Sequence, residues 1–150
     1  MSEHSDRFDL ERFVQAQQPV HDRVLAELRA GRKRSHWMWF VFPQFEGLGR
    51  SAMAHRYAIK SLDEAAAYLE HPILGPRLVE ITRIVVALEG QSIPDIFGTP
   101  DDLKFHSCMT LFERVAGPES VFAEALRKYF HEQPDNQTLR RLTELEPGQP

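Results

Sequence analysis

Apolar residues along the chain recur mostly at intervals of three and four, the period of a helix with one face against a core. The clearest run is PILGPRLVEITRIVVALEG, where Leu74, Leu78, Ile81, Val85 and Leu88 step by four, three, four and three. Val79, Ile84 and Val86 widen the stripe. Its β-branched content would suit a strand, but its length favours a helix that stops at Gly90. Further along, Leu103, Phe105, Cys108, Met109, Leu111, Phe112 and Val115 cover more than one face, which predicts a central, largely buried helix ending at Gly117. Thr99-Pro100-Asp101-Asp102 reads as its start: a capping hydroxyl, proline at the first helical position, then two acids at the positive dipole end.

The remaining pattern is also helical. Asp9 is expected to cap a short helix whose face carries Leu10, Phe13 and Val14. After Pro19, the residues Val20, Val24, Leu25 and Leu28 share a face up to Gly31. Ser61 and Glu64 match a capping box ahead of Ala65, Ala66 and Leu69, and Pro72 ends that helix near His71. Ser92 and Pro94 open a single turn closed by Gly98. Phe122, Ala125, Leu126, Tyr129 and Phe130 form another amphipathic helix, and Asp135 caps a last one through Leu139 and Leu142. No alternating strand and no Asn-Gly or Asp-Gly hairpin turn appears. The expected fold is all-α: one compact domain of six to eight short, orthogonally packed helices over residues 8–142, with flexible ends at 1–7 and 143–150.

One stretch breaks the pattern. In GRKRSHWMWFVFPQFEGLGRS (Gly31–Ser51), Trp37, Trp39, Phe40, Phe42 and Phe45 cannot share one helical face, and Pro43 biases Phe42 toward extended backbone. Cations flank these rings. The segment is therefore read as non-helical, either the densest part of the core or a pocket with a polar rim. Its glycines (Gly47 and Gly49) form a lone G-x-G ahead of Ser51, which serves equally as a tight turn with a helix cap or as a phosphate loop.

Composition narrows the classes. At 150 residues the chain suits a single domain. Its 42% hydrophobic and 27% charged content is that of an ordinary globular protein. A net charge of −4 argues against a surface built throughout for nucleic acid or anionic lipid. The lone Cys108 implies no disulfide, and the charged N-terminal stretch carries no signal-peptide core. No apolar run is long enough to span a bilayer. A cytoplasmic protein is expected, with no membrane partner.

Candidate chemistry is sparse. G-x-S-x-G, Walker, H-E-x-x-H and G-x-G-x-x-G motifs are absent. The seven histidines are scattered, and His106-Ser107-Cys108 lacks zinc-site spacing, so neither a metal nor another cofactor is expected. Cys108 lies mid-helix among apolar residues, where burial keeps a thiol protonated and inert. Asp101, Asp102 and Asp135 read as helix-start residues.

SHWMWFVFPQFEGLGRS, YLEHPILGPRL and FGTPDDLKFHSCMTLF resemble the three signature blocks of an uncharacterised bacterial domain family, DUF-1810, and the resemblance runs from about Phe8 to Leu142. It implies a compact all-α domain of novel topology and supplies no activity. The label "calpastatin" sometimes given to the family does not carry over, because a folded helical domain is physically unlike a disordered protease inhibitor. The first block's pattern picks out His36, Trp37, Trp39, Phe42, Pro43, Gln44, Gly47, Gly49 and Ser51. In the second it marks Pro72, Leu74 and Gly75. In the third it marks Asp102, Lys104, Ser107, Met109, Thr110 and Phe112.

The leading reading is a small-ligand-binding domain with its pocket between the Trp37–Ser51 segment and the Lys104–Phe112 helix. Trp37 or Trp39 stacks on a flat group, Lys104 and Arg50 neutralise an anion, and Gln44 and Ser107 fix orientation; Ser51 completes the rim. A nucleotide-like ligand offers both the ring and the charge. No reaction is named by these motifs, although His36 is the side chain type suited to acid–base work near neutral pH. The alternative is a protein–protein interaction module without catalysis. A third reading is nucleic-acid binding through the Arg29–Arg34 patch (Arg29, Arg32, Lys33 and Arg34), whose cations serve equally to complement a helix C-terminus.

Overall fold

The computed structural model describes residues 6–145. The described residues form ten helices and no strand. In chain order these are α1 (Glu11–Gln17), α2 (His21–Arg29), α3 (Met38–Val41), α4 (Ala52–Arg56) and α5 (Leu62–Glu70). They continue with α6 (Leu74–Ala87), α7 (Ile93–Phe97), α8 (Asp101–Ala116), α9 (Val121–Phe130) and α10 (Asn136–Leu145). The number exceeds the expected six to eight because of two short pieces, α3 and α4. α3 is a single turn inside the aromatic segment, which corrects its non-helical reading. At Phe42, ahead of Pro43, the chain leaves the helix for φ −124°, ψ 73°. Among the described residues, the one element of extended pairing is an isolated parallel bridge between Phe45 and Ile59.

Several caps differ from expectation. Asp9 has a positive φ and caps nothing; the Asp6 carboxylate instead accepts from the amides of Leu10 and Glu11. The Ser61 hydroxyl caps α5 as expected, but Glu64 accepts from the Lys60 amide and from Arg12 instead of closing the box. At α8 the N-cap is Pro100, with no side-chain bond, so Thr99 is not the cap. α10 begins as expected, with the Asp135 carboxylate accepting from the amide and hydroxyl of Thr138. This helix continues to Leu145; residues 1–5 and 146–150, which hold most of the expected flexible ends, lie outside the described residues.

α8 is the centre of the packing, with α5, α7, α9 and α10 around it, while α6 bridges α2, α5 and α9. Phe105, Cys108, Met109, Leu111 and Phe112 are buried, whereas Leu103 lies in the first turn of α8 and is 62% exposed. Aromatic rings thread this core. Phe13 packs on Tyr68, Tyr68 on Phe112, and Phe112 on Phe122. A second series links Trp37, Phe42, Phe97 and Phe105. One hydrophobic cluster thus runs from Leu10 to Leu142.

Buried polar groups tie the short helices together. The Arg12 guanidinium donates to the carbonyls of Phe8, Asp9, Arg56 and Ala58 and to the Glu64 carboxylate at 3.0 Å. Using a guanidinium's several donors in this way fixes the α1–α4–α5 corner.

Candidate functional site

The aromatic segment is held by one carboxylate. Glu27, on α2 and 8% exposed, accepts from the amides of Arg34 and Ser35, the Ser35 hydroxyl and the Trp37 indole N–H, over 2.7–3.2 Å. Burial pushes its carboxyl up, but these hydrogen bonds together outweigh burial and hold it below its ordinary value. The Lys33 amide donates to the Ile96 carbonyl at 2.8 Å, so the same loop is also fastened to α7. Trp37 is consequently a core residue, 1% exposed, while Trp39, two residues on, points the other way and is only partly buried.

Three charged groups meet beside Trp37 and Trp39. The Asp101 carboxylate receives Lys33 Nζ at 2.8 Å and Lys104 Nζ at 3.5 Å. Each ammonium also lies over an indole: Lys33 is 5.1 Å from the Trp37 ring centroid, and Lys104 is 5.3 Å from that of Trp39. The Trp37–Ser51 segment and the start of the Lys104–Phe112 helix are therefore adjacent in space. One carboxylate between two ammonium groups leaves this cluster with one positive charge in excess. Beside Lys33 a polar-walled cavity of about 560 Å³ opens between the end of α2 and α7, bordered by Arg32, Gln91, Asp95 and Phe97. Neither indole is part of its wall.

The other sequence candidates lie apart from this cluster. His36 and Arg50 are exposed, and Gln44 is partly buried with its backbone carbonyl accepting from the Ile59 amide. Ser51 caps α4, accepting from the Ala54 amide. Among the described residues, no hydrogen bond or ion pair joins Gln44, Arg50 or Ser51 to Lys104 or to either indole. The Ser107 hydroxyl is buried against α10. It pairs with Thr138 Oγ1 at 2.8 Å, and since Thr138 gives its own proton to Asp135, Ser107 must be the donor. Gly47 has positive φ, and the space a side chain would need there is filled by the Arg141 guanidinium, which donates to the Glu46 carbonyl. That turn is therefore built to seat α10.

Cys108 is fully buried, and burial pushes its thiol well up, away from the reactive thiolate. Among the described residues, no group of three or more His, Cys, Asp or Glu side chains is placed to hold a metal ion, and no helix is long and apolar enough to cross a membrane. The basic patch is dispersed. Lys33 is 92% buried in its ion pair, Arg29 sits 3.9 Å from Glu80, and Arg32 and Arg34 are exposed.

Residues 7–142 match the model of a protein family described as "Protein of unknown function (DUF1810)". The chain belongs to this family. No curated protein matches this DUF1810 chain significantly. A solved structure does: the crystal structure of the conserved hypothetical protein Rv1873 from Mycobacterium tuberculosis shares 56% identity, covering 91% of this chain and 97% of that one with a TM-score of 0.87. In this DUF1810 chain the three motif blocks pack on one another: Phe42 of the first against Phe105 of the third, and Tyr68 of the second against Phe112 of the third. Two carboxylates have roles here that the sequence does not announce. Asp101 looks like an ordinary first-turn acid, and no spacing rule links it to Lys33, 68 positions earlier. Glu27 lies between Ala26 and Leu28 on the buried face of α2, and no spacing marks it as the anchor of Trp37.

Proposed function

We propose that this chain binds a small anionic, nucleotide-like ligand at the junction of the Trp37–Ser51 segment and the first turns of the Lys104–Phe112 helix. The acting unit is the single domain over residues 8–142, working in the cytoplasm. The observation that carries the reading is the Lys104 ammonium over the partly exposed Trp39 ring, which joins the two segments at a flat face and a cation. Trp39 stacks the ring of the ligand, and Lys104 with its neighbour Lys33 meets the negative charge. Trp37 backs the site, held by Glu27, while Ser107 and Ser51 are taken by internal partners away from it.

The test is a thermal-shift screen of purified protein against nucleotides, nucleotide sugars and simple phosphates, repeated on Lys104→Ala and Trp39→Phe. Ligand at a hundred times its dissociation constant adds about 2.7 kcal/mol of stability. A shift in the wild type that both variants lose supports the reading. A cooperative melt unmoved by every compound refutes it.

A second reading, a protein-interaction module without catalysis, has its own support in Leu103. This side chain is 62% exposed and borders a groove of about 360 Å³ with Pro94, Tyr129 and Phe130. Nucleic-acid binding draws less support, because two of the four cations of the Arg29–Arg34 patch are paired with carboxylates of the chain itself.

A further inference from the structure

We infer that Asp101 is a built-in occupant of the anion position, displaced by the phosphate group of an incoming ligand, and that the site selects dianionic phosphate over monoanions. This rests on the ligand reading above and deepens it.

Asp101 lies in the first turn of α8, where any acid complements the helix dipole, but its two ion pairs go beyond that role. Among the described residues α8 has no side-chain cap, and the Asp101 carboxylate forms ion pairs with the ammonium groups of both Lys33 and Lys104. Those cations come from separate elements, the loop after α2 and α8, yet they converge on the two oxygens of one group. That is how a bound carboxylate or phosphate is held between two lysines. Each ammonium is also placed over its own indole, Lys33 on Trp37 and Lys104 on Trp39, so part of its support is independent of Asp101. Trp37 is itself anchored by Glu27. The place is screened from water without being sealed: side-chain exposure is 8% for Lys33, 19% for Asp101 and 22% for Lys104. The cavity beside Lys33 offers room for the rest of a ligand.

Charge matching decides the ligand class. With Asp101 in place the three groups sum to one positive charge; with it swung out, the two lysines present two. A monoanion such as acetate only replaces one carboxylate by another and gains nothing for the displacement. A phosphate monoester above its second pKa, about 6, brings close to two negative charges and matches both lysines, and inorganic phosphate does the same at a somewhat higher pH. Binding is therefore expected to strengthen as pH rises from 5.5 to 7.5, following the phosphate.

The experiment is a calorimetric titration of inorganic phosphate, with acetate as the monoanion control, into the wild type and Asp101→Asn. The amide keeps the shape and removes the internal competitor, so Asp101→Asn should bind phosphate at least tenfold more tightly. Lys104→Ala in the Asp101→Asn background should lose the gain. Equal phosphate affinity in the wild type and a folded Asp101→Asn overturns the proposal, as does a gain that survives loss of Lys104. Asp101→Asn leaves the Lys33 charge without its partner, so folding is safeguarded by a measurement on the wild type. Its two indole N–H resonances are followed as phosphate is added. A saturable shift of the Trp39 signal with phosphate and not with acetate supports the proposal, and no shift refutes it. Failure of the two readings is separable. Nucleotide-induced stabilisation with no Asp101→Asn gain sinks only the internal competitor. A phosphate gain in Asp101→Asn with no nucleotide response sinks only the flat-group reading.

Discussion

Replacing Glu27 by alanine removes the acceptor of four hydrogen bonds at once, from the Arg34 and Ser35 amides, the Ser35 hydroxyl and the Trp37 indole. The indole N–H belongs to a side chain only 1% exposed, so it has no water to turn to, and an orphaned buried donor costs about 1–3 kcal/mol. The two amides lie nearer the surface and rehydrate in part. The expected loss for Glu27→Ala is about 2–4 kcal/mol, a fall of roughly 5–15 °C in melting midpoint for a domain of this size. Glu27→Gln keeps an oxygen where three of the donors converge and loses only the charge assistance, so it should cost about 1 kcal/mol. Paired urea and thermal melts of the three proteins measure both values. A pH series adds a sign. The folded carboxyl is held below its ordinary 4.5, so as pH falls the unfolded chain takes up the proton first. The wild type therefore loses this contribution below that value, and its advantage over Glu27→Gln should shrink there. If Glu27→Ala melts within about 0.5 kcal/mol of the wild type, the four bonds do not anchor the segment and the argument fails.

Other substitutions test separate parts of the fold. Among the described residues Thr82 Oγ1, which is buried, finds no hydrogen-bond partner, so Thr82→Val should stabilise the protein by about 1 kcal/mol in a thermal melt, and a loss would show a missed partner. A Cβ at Gly75 would run into the Leu69 carbonyl where α6 crosses the end of α5. Gly75→Ala should therefore cost about 1–3 kcal/mol, read as a lower urea midpoint. His21, at the start of α2, is held below its ordinary 6.5 by burial and by Arg77, only partly opposed by Glu80 and Asp22. The unfolded chain protonates first, so stability should be flat above that value and fall as pH drops through it. His21→Gln should flatten the profile between about pH 5 and 7; an unchanged slope would rule His21 out as its source.

The candidate site was legible only in pieces. Trp37, Trp39 and Lys104 stand out because large rings and a lysine in an apolar helix are costly unless they have a use. That Lys104 lies over Trp39 is visible only in the structure, since no spacing links the two positions. Ser107 and Ser51 turned out to be occupied, one by Thr138 and the other by the start of α4, because hydroxyls satisfy nearby donors and acceptors wherever the chain offers them. Asp101 carries no local signal, since an acid at a helix start is explained by the dipole alone.

What the sequence by itself determined is the set of long helices and the face each one buries. The three–four stepping of α6, the multi-faced apolar pattern of α8 and the amphipathic α9 are local consequences of side chains repeating with the helical turn. Gly31, Gly98 and Gly117 end helices for an equally local reason, each having a positive φ that other residues adopt at a cost, whereas α6 stops at Ala87, short of the expected Gly90, with Leu88 already extended. What only the tertiary structure decided is everything that joins residues distant in the chain. Arg12 finds Glu64, Lys33 finds Asp101, and Arg141 fills the space over Gly47. Such contacts depend on the relative placement of whole helices, set by packing the aromatic core, and periodicity carries no information about that placement. For this reason the helical class could be read from the chain alone, while the meeting of two lysines on one carboxylate could not.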